Sequence, residues 1–402
     1  MAIGRRLSSG WMIQEWELFA RDDPNMTKLR LSIPHIDREY LRASIRCLRS
    51  HRYLEELWLE GDELEIDVAH SLALSLRENK NLKVLKVRNC SLSGHGASVI
   101  FDAIRTSQFI QELHLERNEL SDSSIDSLCS MIRKNPILKV LHIVNNPVGL
   151  QNFQKICESL RQNIGIQELC LQHGHIGGSD YADSLGRMVL RNRCLKRLQL
   201  VHTKMKSNDV QILSKYLEQN KTLEQLVLAG SKLDEVAALA LSELVKKSKS
   251  LKQFSLWGNS LGDDGANLLY EGIQCNSTLI ELRIMMNLLT EKSIPGLANA
   301  VMNHPTLKVL DIASNCGCIS GEYIANLLRQ NDRIETIGLY GNELGQHDDE
   351  IKKLLRLNKA GRRVIKNPNS SKSDILNVLI KNHNDTDLLF CILQERPDFL
   401  KI

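Results

Sequence analysis

Ile110-Gln-Glu-Leu-His-Leu-Glu-Arg-Asn-Glu-Leu120 decides the fold. Leu113 and Leu115 alternate with His114 and Glu116, the period-two pattern of a short strand that turns its apolar side inward. Asn118 ends the strand, and its amide is suited to satisfying backbone groups in the turn that follows. Eleven further stretches fit the same frame, LxxLxLxxNxL. The twelve begin at Met26, Leu54, Leu82, Ile110, Leu138, Ile166, Leu195, Leu223, Leu251, Leu279, Leu307 and Ile334. Nine of the eleven steps are 28 residues; the step from Ile166 is 29 and that from Leu307 is 27. A period of this length and spacing marks a leucine-rich-repeat solenoid, an α/β architecture of about twelve repeats.

The other positions of the frame agree. The ninth holds Asn146, Asn259, Asn287, Asn315 and Asn342, with Asp62, Cys90, Thr203 and Ser231 as small polar substitutes and Pro34 and Gly174 as departures. The second half of each repeat reads as an amphipathic helix: Ile125, Leu128 and Ile132 share one face, as do Val68, Leu72 and Leu76. A single repeat cannot bury its apolar face alone, so stability comes from stacked neighbours.

At these residues the chain resembles the ribonuclease-inhibitor-like subfamily of leucine-rich repeats, which also supplies the repeat domains of NOD-like receptors and Ran GTPase-activating proteins. The resemblance covers residues 26–345 and implies a horseshoe with a concave parallel sheet, convex helices and protein binding on the concave face. The inhibitor's alternation of 28- and 29-residue repeats and its dense cysteines are missing, which argues against ribonuclease inhibition.

Composition is that of an ordinary soluble protein, with 42% hydrophobic and 25% charged residues in 402. A net charge of +4 gives no case for nucleic acid or an anionic membrane as partner. The ten cysteines are scattered without a paired framework, which indicates free thiols and a reducing compartment. Sequons such as Asn220-Lys-Thr222 and Asn276-Ser-Thr278 matter only in a secreted protein. No segment reads as a signal peptide or a membrane span, and an intracellular place is expected, cytosol before nucleus.

Flanking segments differ from the repeats. Residues 1–25, with Trp11, Met12, Trp16, Leu18 and Phe19, are suited to covering the first repeat. Residues 346–402 begin with a helical stretch around Leu354, Leu355 and Leu357 that is suited to covering the last. Two short amphipathic helices then follow, at Ile375–Ile380 and Leu388–Leu393, either folded back on that cap or forming a docking tail. Between Lys352 and Lys366 lie seven basic residues and no acid, read as a solvated cap surface with an anionic-surface or nuclear-localisation patch as the alternative.

Because strand side chains alternate, the fifth and seventh positions of each repeat project into the horseshoe. The first repeats are charged there, with Trp58 among Arg30, Lys86 and Arg88; the last are apolar and aromatic. Trp58, Trp257, Arg283, Met285, Met286 and Tyr340 form the aromatic, methionine and arginine set that anchors protein interfaces. His114, His142 and Cys170 share the fifth position of three consecutive repeats, about 4.8 Å apart. Glu116 or His173 would be a fourth zinc ligand, but a polar stripe is the expected reading and no metal or cofactor is assigned. Cys316 and Cys318 fall in an irregular turn without further ligands at motif spacing.

No GxxxxGKS/T, GxSxG or HExxH motif occurs. The expected function is that of a non-catalytic, monomeric protein-interaction module, a scaffold or sensor. The alternative is a GTPase-activating protein like the Ran activators, whose acidic C-terminal run is here replaced by a basic one.

Overall fold

The computed structural model describes residues 17–92, 94–302, 304–315 and 319–396. It is an α/β leucine-rich-repeat solenoid with twelve strands alternating with helices. The chain forms two compact units, Met1–Met205 with Lys215–Leu223, and Lys206–Ser214 with Glu224–Ile402.

The first unit holds β1 (Lys28–Ser32), β2 (Glu56–Glu60), β3 (Val84–Arg88), β4 (Glu112–Glu116), β5 (Val140–Val144), β6 (Glu168–Gln172) and β7 (Arg197–Val201). They pair in chain order, all parallel, each frame position opposite its equivalent in the next repeat. Between them run α1 (Arg38–Leu48), α2 (Ile66–Glu78), α3 (Gly94–Thr106), α4 (Asp122–Lys134), α5 (Leu150–Gln162) and α6 (Ser179–Arg191). The next helix, α7 (Ser207–Leu217), has residues in both units. In the second unit β8 (Gln225–Ala229), β9 (Gln253–Ser255), β10 (Glu281–Arg283), β11 (Val309–Asp311) and β12 (Thr336–Gly338) pair in the same way. They alternate with α8 (Glu235–Lys247), α9 (Gly262–Gln274), α10 (Ile294–Met302) and α11 (Gly321–Gln330).

In the first unit the period-two and helical patterns meet in the core. Leu57, Leu59, Leu85, Val87, Leu113 and Leu115 point from the sheet towards the helices and are at most 1% exposed, as are Ile125, Leu128 and Ile132 on α4. Each such leucine contributes on the order of 2 kcal/mol by leaving water. Helices approach closely where a side chain is missing: a methyl on Gly272 of α9 would stand 2.2 Å from the Ser242 carbonyl oxygen of α8.

Two asparagine ladders satisfy the backbone that this stacking buries. The first follows the strands, as the sequence predicts. The Asn118 amide donates to the Val87 carbonyl at 2.8 Å and accepts from Cys90 N at 3.0 Å; Asn146 donates to Leu115 at 2.9 Å and accepts from Asn118 N at 2.7 Å. Asn259 and Asn315 repeat the arrangement in the second unit, donating to Leu228 and Ile284 and accepting from Ser231 N and Asn287 N, whereas Asn287 donates to Leu256 and its side-chain oxygen has no partner among the described residues. The second ladder was not foreseen. Asn79, Asn135, Asn163, Asn192, Asn220, Asn276 and Asn331 sit just beyond helix ends, and each donates to a carbonyl at the end of the preceding repeat's helix. Their side-chain oxygens accept from the backbone N–H groups that lead into the next strand, as at Ile137 and Leu138 for Asn135. One side chain thus stops the helix and holds two repeats together. His51 and His304 take this place in two repeats, with Nδ1 as the acceptor.

At the ends, Phe19 is buried and stacks on His51 at 4.8 Å, while Leu18 is partly exposed. Trp11, Met12, Trp16, Cys316 and Cys318 lie outside the described residues. Beyond β12 come α12 (Asp348–Ala360), α13 (Arg362–Lys366), α14 (Lys372–Lys381) and α15 (Thr386–Glu395). Asn358 of α12 continues the helix-end ladder by donating to Asn331 and Ile334, both at 2.9 Å. Leu388 and Ile392 of α15 pack into a cluster with Leu357, Ala360 and Ile365, against which Val378 of α14 also lies. The two terminal helices are therefore folded back, the first of the two arrangements that their sequence allowed.

Candidate partner-binding face

The third, fifth and seventh positions of each strand leave the sheet on the side away from the helices. Alternation from the fifth position alone passes over the third. The structure shows that carboxylates at the third organise this face. Glu56 accepts from Trp58 Nε1 at 2.6 Å and pairs with Lys86 at 2.6 Å and Lys28 at 3.1 Å. Burial works against its charge, but these three partners outweigh it and hold the carboxyl at about 2. The Trp58 ring lies between cations, Lys86 Nζ at 4.1 Å and the Arg30 guanidinium at 5.5 Å from its centroid. Arg30 also pairs with Glu60, and Arg88 bridges Glu60 and Glu116 at 3.3 Å each. Trp58 is thus a partly buried member of a charged lattice, not a bare aromatic anchor.

His114 and His142 meet edge to face, centroids 4.4 Å apart. The His142 Nε2 faces Glu168 at 3.0 Å, and Arg197 and Gln199 complete the shell of that carboxylate at 2.6 and 3.1 Å. The His142 hydrogen bond and Arg197 hold the Glu168 carboxyl at about 2 against its burial. Burial and the neighbouring His142 push the His114 imidazole below its usual value. Cys170, opposite His142 in the register, is 5% exposed, and burial raises its thiol to about 12. A thiol so far from ionising is neither an activated nucleophile nor a ready metal ligand. Among the described residues no group of three His, Cys, Asp or Glu side chains is placed to hold a metal ion.

In the second unit several residues expected to project are covered. Val227, Ala229, Ser255 and Ala313 are at most 8% exposed, because small side chains sink between larger neighbours. Trp257 and Met285 are partly buried; Arg283 is exposed and held by Glu281, which also accepts from Gln253 at 2.9 Å. Backbone bonds from Gly258 N to Met285, Met286 N to Ala313 and Ser314 N to Tyr340 set Trp257, Met285, Ala313 and Tyr340 on successive rungs. Tyr340 keeps 87% of its surface.

The turn beyond these strands supplies a signal that the sequence frame did not. Its eighth position, in every repeat but the first, and its tenth, in six repeats, adopt left-handed backbone and mostly carry polar residues or glycine, such as Asn89, Arg117, His173, Lys204 and Gly258. Met286 (φ +54) and Leu288 (φ +63) are the apolar exceptions among the described residues, and both are about half exposed. Such backbone costs roughly 1–3 kcal/mol for a bulky residue. Neither local conformation nor core packing explains two long apolar side chains there. Met285 precedes them on the same turn, and Tyr340 stands two rungs further along the sheet.

No family model and no curated protein matches the sequence. Solved structures similar to it include a chain of the yeast Rad7 and Elc1 complex, at 17% identity over 82% of this chain and 82% of that one, TM-score 0.45. The leiomodin-1 actin-binding site 2 is 17% identical over 39% of this chain and 91% of its own, TM-score 0.32. The tropomodulin C-terminal domain of Caenorhabditis elegans is 15% identical over 44% of this chain and 92% of its own, TM-score 0.32.

Proposed function

We propose that this chain is a non-catalytic protein-interaction module, and that it binds a protein partner through the sheet face of its second unit. The observation that carries the proposal is the pair Met286 and Leu288, two long apolar side chains half exposed on left-handed backbone, with the exposed Tyr340 two rungs further along the sheet. Trp257, Arg283 and Met285 would complete the contact, and Trp58 would belong to a separate charged region. The 28-residue repeats, most of whose helices in the first unit have thirteen residues, support placing residues 26–345 with the ribonuclease-inhibitor-like type.

Affinity capture by the wild type, by Met286→Ser with Tyr340→Ser, and by the helix-side control Tyr323→Ser tests the site. A true anchor is worth on the order of 2 kcal/mol, or roughly thirtyfold in affinity. A partner recovered by the wild type and the control should be lost by the double variant, whose circular dichroism should be unchanged. Equal recovery by all three removes the site.

A further inference from the structure

The sheet ends at β12, which has β11 on one side and no strand on the other among the described residues. At the preceding edge the backbone groups that face outward are taken by the next strand. The Lys308 carbonyl accepts from Glu335 N and Thr336 N at 2.8 and 3.2 Å, Ile312 N donates to the Gly338 carbonyl at 3.1 Å, and Ser314 N donates to the Tyr340 carbonyl at 2.7 Å. One repeat on, the corresponding groups are the Glu335 carbonyl and the N–H groups of Leu339 and Gly341. None of these has a partner among the described residues.

The core is open at the same place. Side chains at the fourth and sixth positions of the eleven earlier strands, from Leu29 and Leu31 to Leu310 and Ile312, are at most 6% exposed, whereas Ile337 and Leu339 are partly exposed. On the helix side, Leu388 and Ile392 of α15 bury against Leu357 and Ala360 of α12. The last repeat is thus covered by a helix but not by a strand.

We propose that the free edge of β12 takes up an extended segment of a partner protein as a further parallel strand. The unpaired groups recognise backbone, and their spacing is that of the parallel register inside the sheet. Apolar residues at the fourth and sixth positions of the segment would close the core over Ile337 and Leu339. A lysine at its second position would meet the Glu335 carboxylate, as Lys83 meets Glu55 and Lys252 meets Glu224 at the same place in other repeats. A second copy of this chain, or any strand followed by its own helix, would bring a further helix against α15; an extended segment brings none. The site is the edge of the sheet, distinct from the face that carries Met286 and Leu288.

A fluorescein-labelled peptide of about eight residues tests this, with Lys second, Leu fourth and sixth, and Thr elsewhere. Fluorescence anisotropy with the full chain should show saturable binding. Methyl groups on the backbone nitrogens of its second and third residues, which would donate to the Glu335 carbonyl, should weaken binding about tenfold. Methyl groups on the nitrogens of its fourth and sixth residues, which face away from β12, should leave binding within about twofold. Leu339→Pro removes a free N–H group without breaking a bond of the chain, and should weaken binding about tenfold with unchanged circular dichroism. Met286→Ser, on the sheet face, should change nothing. No saturable binding, equal binding of the two methylated peptides, or loss of binding by Met286→Ser overturns the proposal. Sedimentation that shows a dimer of the full chain, dissociated by Leu339→Pro, with no peptide bound, would overturn it in favour of self-association.

Discussion

A helix-end asparagine and the histidine that replaces it differ in one respect with a measurable consequence: only the histidine titrates. His304 accepts from Leu307 N at 3.1 Å through Nδ1, which requires the neutral ring, and it is 2% exposed. Burial, assisted by Arg333, lowers its pKa from 6.5 to about 4. Between these values the unfolded chain binds the proton and the folded chain does not. The stabilisation is therefore complete above about pH 6.5 and is lost as the pH falls towards 4. His304→Asn keeps an acceptor at the same place and removes the titration. Urea midpoints measured from pH 7 to pH 4 should fall more steeply for the wild type, by on the order of 1–3 kcal/mol at the acid end; parallel curves would refute the assignment. The strand-end ladder is legible in sequence because Asn118 belongs to the repeat frame. The helix-end ladder is not, since Asn135 is recognised only through Ile104 and Ser107, a repeat away in the chain. Glu56 and Glu168 were missed for a simpler reason, that alternation was followed from the fifth position and not from the third.

Among the elements, the strands and the helices of the repeats could be read from period alone, because each has one apolar face. Helices α14 and α15 could be placed in the same way, but not the side on which they are covered. Ile375, Leu376, Val378, Leu379 and Ile380 are apolar on more than one side, so no period says which side is covered. The contacts do: Leu388 and Ile392 bury against Leu357 and Ile365, and the Arg362 guanidinium, 4% exposed, is balanced by Glu395. Deleting residues 367–402 should uncover that cluster and leave Arg362 without its carboxylate, lowering the melting temperature by several degrees, as a loss of about 2 kcal/mol would. Deleting residues 346–402 also removes Asn358, which closes the helix-end ladder on Asn331 and Ile334. Aggregation is expected from that longer truncation. Size-exclusion chromatography and melting of the three proteins check both expectations, and equal behaviour of all three would refute the role given to these helices.

For the molecule as a whole, the repeat frame specifies twelve parallel strands but leaves the division into two units without a mark, since no linker or shift in composition interrupts the repeats between Met205 and Glu224. The frame also says which residues leave the sheet but not how far they stand out, which is why Tyr340 and the sunken Ala229 received equal weight. The helix-end ladder has a further consequence, in the trafficking of the chain. Asn220 and Asn276, 5% and 2% exposed, donate to Val189 and Val245, yet each begins an Asn-x-Thr sequon. A sugar can reach these amides only before the repeat closes, and once attached it replaces a donor hydrogen inside the stack. Directed into the secretory pathway by an added leader, the chain should be glycosylated while unfolded and then retained. Thr222→Val with Thr278→Val abolishes both sequons but keeps both rungs, and should restore export; secretion of the unaltered chain with sugar on Asn220 or Asn276 would contradict this.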